Sequence, residues 1–245
     1  MKQRPWLART AFVLGLLAWC ALALQLALLA RIALMAWWDP ASTTFQRSEI
    51  LRLLVDKQRV EWSQRWTDYE RISVHLKRAV IASEDADFAD HAGVDWDAIE
   101  KAWDRNQRVQ AQAERRGAPS PSAKLRGGST ITQQLAKNLL LSGERTVLRK
   151  GQELVLSWML ELLLDKRRIL ELYLNHVEWG EGLFGAQAAA RHYFRVDADR
   201  LSPAQAARLA VMLPAPKRFE RQPASTYLQG RSATILARMP AVELP

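Results

Sequence analysis

Residues 127–141, GGSTITQQLAKNLLL, decide the class of fold that this chain adopts. Gly127 and Gly128 suit a tight turn, after which Ser129 or Thr130 can cap a helix. Apolar residues then recur at helical spacing and predict the buried face of that helix: Ile131, Leu135 and Leu139. The stretch therefore predicts an amphipathic helix over residues 129–141.

The roughly opposite face of this helix is polar. Ser129, Gln133 and Lys137 are spaced by four residues and line one side of it. Backbone amides at a helix start bind anions, so this face fits a phosphorylated ligand. It is not a Walker motif, because no Gly-Lys-Ser/Thr follows the glycines. An ordinary capped amphipathic helix has the same pattern, and this segment alone leaves both interpretations open.

A cationic segment follows, RTVLRKGQE at residues 145–153. Arg145, Arg149 and Glu153 again step by four and share a helix face. Such a face can neutralise the charge of a diphosphate leaving group. The alternative is a surface ladder of ion pairs, each of which would stabilise the helix by only about 0.3 kcal/mol.

An acidic cluster lies upstream, EDADFADHAG at residues 84–93. Neighbouring carboxylates repel one another, so one of them is expected to have a raised pKa. Glu84 with such a pKa can act as a base toward a sugar hydroxyl. The alternatives are a solvated acidic turn and a metal site, although the spacing does not follow the calcium-loop pattern.

Helical spacing continues through most of the chain. Further helices are predicted over residues 146–164, 166–174, 186–193 and 203–213, with a helix-like stretch from 75 to 84. Residues 106–126 are polar and basic, contain Gly117, Pro119 and Pro121, and predict a mobile loop. No run of alternating strands appears. The fold class is therefore all-α.

The N-terminal segment predicts a transmembrane anchor over residues 11–38. Residues 11–30 carry no charge, and about 20 apolar residues in a helix match the hydrocarbon core of a bilayer. Lys2, Arg4 and Arg9 precede the run and predict a cytoplasmic N-terminus. A cleaved signal peptide and a buried core helix are the alternatives.

The charge balance favours an anionic partner. The net charge is +9, and beside a membrane segment it indicates lipid and lipid-linked phosphate rather than nucleic acid, for which no binding motif is present. Cys20, in the apolar run, is the one cysteine, so the globular part is expected to have neither disulfide nor thiol chemistry.

Five segments resemble, in order and spacing, the motifs of the family 51 glycosyltransferases: residues 84–93, 127–134, 149–153, 166–175 and 201–210. The resemblance covers nearly all of the chain after the apolar run. Gln205 departs from it, because an acidic residue is usual there. The chain is similar to the monofunctional members, since it has no Ser-x-x-Lys or Lys-Thr-Gly signature of a transpeptidase.

The resemblance implies an all-α, lysozyme-like glycosyltransferase lobe (residues 79–220) with a smaller membrane-apposed jaw (roughly 94–126) and one N-terminal transmembrane helix. Residues 39–78 would form a lead-in segment packed on the lobe, and 221–245 a C-terminal segment. Glu84 would be the base and Glu153 the second glutamate that organises the donor. The implied diphosphate and cleft contacts are Ser129, Gln133, Gln134, Lys137, Arg145 and Arg149. Glu171 and Asn175 would be structural props of the cleft.

The implied reaction is polymerisation of lipid II, a lipid-diphosphate-linked disaccharide, into β-1,4 glycan strands with inversion. The implied place is the bacterial inner membrane, with the catalytic domain in the periplasm. The partners would be lipid II, the growing glycan strand, membrane lipids and other cell-wall synthesis or division proteins. No cofactor is required, although a divalent cation such as Mg²⁺ or Mn²⁺ can assist at the diphosphate.

Two other functions compete with this one. A hydrolase or lytic enzyme on a related fold also places carboxylates around a sugar. It cuts uncharged glycosidic bonds, however, so a cationic face would have no role there. A non-catalytic membrane adaptor would be expected to have lost a carboxylate or the glycine turn, and both are present.

Overall fold

The computed structural model describes residues 5–58, 60–115, 128–141 and 146–245. Residues 1–40 and 41–245 form two separate compact units. Gly127, Arg145 and residues 116–126 of the predicted loop lie outside the described residues.

The first unit consists mainly of one helix, α1 (Pro5–Leu34). Its segment Arg9–Leu34 contains an 18-residue window with a mean hydropathy of 2.3 and is long and apolar enough to cross a membrane. Side chains such as Phe12 and Trp19 are exposed, which argues against the buried core helix that the sequence left open. The helix ends four residues before the predicted boundary at residue 38, and Trp37 and Trp38 follow it in a turn.

The second unit is mostly helical, which confirms the predicted all-α class. Its described helices are α2 (Thr44–Lys57), α3 (Val74–Glu84), α4 (Trp96–Arg115), α5 (Ile131–Leu140), α6 (Val147–Leu163), α7 (Lys166–His176), α8 (Ala186–Phe194), α9 (Pro203–Met212), α10 (Pro216–Arg221) and α11 (Thr226–Arg238). Short 3₁₀ helices span Tyr69–Arg71, Ala198–Arg200 and Met239–Ala241. Helices α5 to α9 lie within two residues of the predicted ranges.

Two groups of packed helices carry the motif segments. Helix α3 packs against α9 and α11, while α5 packs against α2, α6 and α7. Ile131, Leu135 and Leu139 are buried, so the predicted apolar face of α5 does reach the core. The largest side chains in this core include Trp179, Tyr173 and Phe88.

Helix α4 corrects the loop prediction for residues 106–115. These residues continue a helix that begins at Trp96, and the Asp95 carboxylate accepts the Ala98 N–H at 2.7 Å near its start. Alanine, glutamine and arginine are good helix formers, and that local preference outweighs the polarity that suggested a loop. The prediction for residues 116–126 is not tested.

Helix α2 was not predicted as a helix. Its apolar and charged residues do not separate cleanly by face, so the 3.6-residue period is weak. Its start is nevertheless well defined, because Thr43 and Gln46 form a capping box in which each side chain accepts the other's backbone N–H.

A small sheet was also missed. Strands β1 (Ser63–Gln64), β2 (Glu178–Gly180) and β3 (Leu183–Phe184) pair in the order β1-β3-β2. Each strand has only two or three residues, which is too short for an alternating pattern. The turn between β2 and β3 needs Gly182, whose φ is +70° and whose added Cβ would lie 2.0 Å from the Glu61 carbonyl oxygen.

Candidate active site

Glu84 is the last residue of α3, and its carboxylate contacts neutral side chains. Gln134 of α5 donates from Nε2 to Glu84 Oε2 at 3.1 Å. Ser83 Oγ lies 3.4 Å from Glu84 Oε1. Burial raises the pKa of Glu84, and these two hydrogen bonds oppose part of that rise. The group therefore has the raised proton affinity expected of a base.

Asp85 joins the first two motif segments. Its Oδ2 accepts the Ile131 N–H at the start of α5 at 2.9 Å, and its Oδ1 lies 2.9 Å from His91 Nε2. The Gly93 N–H donates to His91 Nδ1 at 3.1 Å, so the imidazole proton is on Nε2 and points at Asp85. Asp85 thus fixes the end of α3, where Glu84 is attached, to the start of α5.

The start of α5 differs from the free anion site that the sequence suggested. The Ile131 amide is taken by Asp85, and the Gln133 amide donates to Thr130 Oγ1 at 3.1 Å. Thr130, one of the two predicted caps, is the N-cap, and its hydroxyl also donates to the Gly93 carbonyl at 2.6 Å. At Ile131 the bound anion is therefore the chain's own carboxylate.

The predicted polar face of α5 is divided in the structure. Ser129 and Lys137 are exposed. Gln133 is buried, and its side-chain oxygen accepts the Thr130 N–H at 3.2 Å to complete a capping box. A neighbour, Gln134, reaches Glu84. The proposed ligand contacts of these residues remain predictions.

Glu153 is buried on α6 in a different environment from Glu84. Arg149 donates from Nη1 to Glu153 Oε2 at 2.8 Å, and the Lys150 ammonium bonds Oε1. The Glu153 side chain is only 4% exposed. Two cations are therefore held about one turn from Thr146, the N-cap of α6. The contact between Arg149 and Glu153 agrees with the helix face that the i,i+4 spacing predicted.

Glu161 is a site-supporting residue that the sequence analysis missed. Its Oε1 accepts from Thr132 Oγ1 at 2.6 Å and from Lys166 Nζ at 2.8 Å. Lys166 also donates to the His91 carbonyl at 2.5 Å. The signal was available, since Glu161 interrupts the apolar run 154–164 and a carboxylate in such a run needs partners.

Glu171 and Asn175 of the fourth motif hold the lead-in segment. Asn175 exchanges two hydrogen bonds with the Thr67 backbone, at 2.8 and 2.9 Å, and the Tyr69 N–H donates to Glu171 at 2.7 Å. Arg168, on the same helix, lies over the Trp66 ring. These residues therefore attach residues 66–69 to α7.

The arrangement contains a partly buried carboxylate, a second glutamate with two cations, and exposed polar side chains on α5. In the described part of the chain, no group of three or more His, Cys, Asp or Glu side chains is placed to hold a metal ion. A divalent cation at the diphosphate would take substrate oxygens among its ligands, and it remains an expectation.

Comparison with known proteins gives a consistent result. The model of the Transglycosylase family matches residues 49–240. A biosynthetic peptidoglycan transglycosylase of Bordetella avium is 51% identical over 244 residues, covering 100% of this chain and 98% of the relative. Relatives of the same name from Bordetella pertussis and Burkholderia thailandensis are 52% and 51% identical, over 96% and 98% of this chain and 94% and 88% of their own. The chain therefore belongs to the transglycosylase family.

Proposed function

We propose that the chain is a monofunctional peptidoglycan glycosyltransferase that polymerises lipid II into β-1,4 glycan strands. The observation that carries this proposal is the contrast between the two glutamates. Glu84 receives its hydrogen bonds from a neutral amide and a hydroxyl, whereas Glu153 is bound by Arg149 and Lys150. A carboxylate with neutral partners and a raised pKa is the better proton acceptor.

Glu84 acts as the general base in this proposal. It takes the proton from the 4-hydroxyl of the acceptor's N-acetylglucosamine while that oxygen attacks the anomeric carbon of the strand's N-acetylmuramic acid. The bond from that carbon to the phosphate oxygen breaks, and the electron pair leaves with the lipid diphosphate. Attack from the opposite face inverts the α linkage to β.

The cations act on the leaving group. A diphosphate needs charge neutralisation more than it needs a proton. Lys137, which is exposed on α5, and Arg149, which is held by Glu153, supply positive charge, and Ser129 supplies a hydroxyl. Arg145 has the same proposed role, outside the described residues. Gln133 and Gln134 complete the proposed cleft contacts.

The membrane anchor places this chemistry where the substrate is. Helix α1 would cross the inner membrane once, and the basic residues before it would keep the N-terminus in the cytoplasm. The catalytic unit then lies in the periplasm, beside the lipid-linked substrate.

The test is polymerisation of fluorescent lipid II by the purified full chain in detergent. Wild type, Glu84→Gln and Glu153→Gln are compared on a gel, and a muramidase digest identifies the product. Wild type is expected to form polymer, and Glu84→Gln to lose at least about a hundredfold in rate because the base is gone. Exposed Glu243→Gln, in the C-terminal segment, is the matched control, with an unchanged rate.

Two results would contradict the proposal. Polymer formed by Glu84→Gln at the wild-type rate would remove the base assignment. Folded wild type that forms no polymer but cleaves preformed glycan would favour the lytic alternative, and neither activity would favour an adaptor.

A further inference from the structure

Behind the candidate base lies a hydrogen-bonded chain of three side chains. Tyr173 of α7 donates from its hydroxyl to Gln134 Oε1 at 2.9 Å, and Gln134 Nε2 donates to Glu84 Oε2 at 3.1 Å. Tyr173 is fully buried, and Gln134 lies between it and Glu84. The three residues come from α7, α5 and α3, so the chain spans three helices.

The phenol and the Glu84 carboxylate together set which way the Gln134 amide points. The amide has a carbonyl at one end and an amino group at the other, so the end that faces Tyr173 determines the end that faces Glu84. Burial and the nearby Glu84 and Asp85 carboxylates raise the pKa of Tyr173 well above its usual value, so the phenol keeps its proton. A protonated phenol donates to the carbonyl, and the amino group is left to donate to Glu84.

This orientation matters for the proton affinity of the base. The bond from Gln134 is the largest contribution that opposes the burial-driven rise in the pKa of Glu84. The other groups that act on Glu84 are Ser83 beside it, Asp85, which raises its pKa, and Arg231 of α11, which lowers it. None of these three is hydrogen-bonded to Tyr173, and the hydrogen-bonded route from Tyr173 to Glu84 runs through Gln134.

We propose that Tyr173 is a positioning residue for the transferase reaction: its hydroxyl orients the Gln134 amide, which in turn orients the Glu84 carboxylate. This inference rests on the proposed function, since it concerns the base of that reaction. Tyr173 does not touch substrate in this role.

The test compares Tyr173→Phe with wild type in the lipid II assay across about pH 5.5 to 9. Without the hydroxyl the amide can rotate, and Glu84 loses part of the bond that favours its charged form. The acid limb of kcat/KM is expected to move up by about half to one pH unit. At the acid end kcat falls about three- to tenfold while KM stays unchanged.

Two comparisons separate positioning from general damage. Tyr193→Phe removes another phenol hydroxyl, on a half-buried side chain, that donates to the Trp179 carbonyl at 2.8 Å, and the variant is expected to keep the wild-type acid limb. Gln134→Ala is expected to move the limb at least as far as Tyr173→Phe, and adding Tyr173→Phe to it is expected to move the limb no further.

Several outcomes would overturn the inference. One is a folded Tyr173→Phe variant with the wild-type acid limb, and another is a Tyr173→Phe shift that persists in full in the Gln134→Ala background. If circular dichroism shows that Tyr173→Phe does not fold, the Gln134→Ala variant provides the test. An acid limb of Gln134→Ala that is unchanged from wild type then overturns the proposal. Folded wild type that forms no polymer would instead contradict the proposed function, and this inference with it.

Discussion

At the scale of single residues, two adjacent carboxylates in the site have different hydrogen-bond partners. Glu84 ends α3 with neutral partners, while Asp85 turns the other way and bonds His91 and the start of α5. The proposed base, Glu84, is thus held in place by the residue next to it in sequence. Glu153 is the same residue type as Glu84, but its carboxylate binds two cations.

Asp85 carries a stability prediction at this scale. Asp85→Ala is expected to lower the free energy of unfolding by about 3 kcal/mol, because the Ile131 N–H and the His91 Nε2–H lose a shared charged acceptor. Asp85→Asn is expected to cost less, since its carbonyl can still accept one of the two. Urea unfolding followed by circular dichroism measures both.

The control for this prediction is Asp90→Ala, which removes an exposed carboxylate from the same turn and is expected to change stability by less than about 0.5 kcal/mol. Equal stability of Asp85→Ala and Asp90→Ala would show that the Asp85 contacts contribute little.

At the scale of elements, a cluster of charges joins α2, β2 and α10. Lys217 of α10 bonds Glu49 of α2, and its ammonium lies 3.2 Å from Glu178 Oε1 of β2 without hydrogen-bond geometry. Arg52 also binds Glu49. Burial raises the pKa of Glu178 to about 7 from its usual 4.5, although Lys217 lowers it in part. Three elements therefore meet at a carboxyl group that titrates near neutral pH.

This cluster predicts a pH dependence of stability. Because the folded pKa of Glu178 lies above the unfolded value, its contribution is full below about pH 4.5 and is lost as the pH rises through about 7. Glu178→Gln has no carboxyl group to titrate there. The free energy of unfolding of the variant, relative to wild type, is therefore expected to rise by about 1 to 3 kcal/mol as the pH goes from about 4.5 to about 7. Denaturant unfolding at a series of pH values measures the difference.

Exposed Glu114→Gln is the control here, and its stability is expected to follow the wild-type pH profile. A stability difference between Glu178→Gln and wild type that does not vary with pH would contradict the assigned titration.

At the scale of the whole molecule, the chain has an apolar helical unit and a catalytic unit of different composition. Residues 41–245 contain the five motif segments and form one compact unit. Helix α1 displays apolar side chains such as Phe12 and Leu17 over its exposed surface. This division predicts that α1 attaches the chain to the membrane and that residues 41–245 carry the catalytic activity.

A truncation tests this division. A chain of residues 41–245 is expected to fold with the helical signal of the second unit and to polymerise lipid II in detergent within about tenfold of the full chain. It is expected to lose most of its sedimentation with membrane vesicles, because about 20 apolar residues have been removed. Circular dichroism, the gel assay and vesicle sedimentation check the three parts. A truncated chain that does not fold would contradict the independence of the second unit.

The sequence alone determined the family motifs, the helices α5 to α9 and the apolar N-terminal helix, and it named the candidate site residues. These features depend on local spacing, caps and composition, which neighbours along the chain decide. The sequence did not predict the α2 helix, the small sheet or the extension of α4, because their periodic signals are weak or their segments are short.

Tertiary structure decided which hydrogen-bond partners those residues have. The spacing of residues does not predict three sets of contacts. Asp85 accepts a backbone N–H at the start of α5, and Glu161 links Thr132 to Lys166. Tyr173 is connected to Glu84 through Gln134. Apart from the Glu161–Lys166 bond, which joins residues 5 apart, these hydrogen bonds join residues 29 to 50 apart in sequence. Only the packing of α3, α5, α6 and α7 brings their polar atoms within hydrogen-bond distance. The two glutamates differ for the same reason, because packing gives Glu84 a neutral amide and a hydroxyl as partners and gives Glu153 two cations.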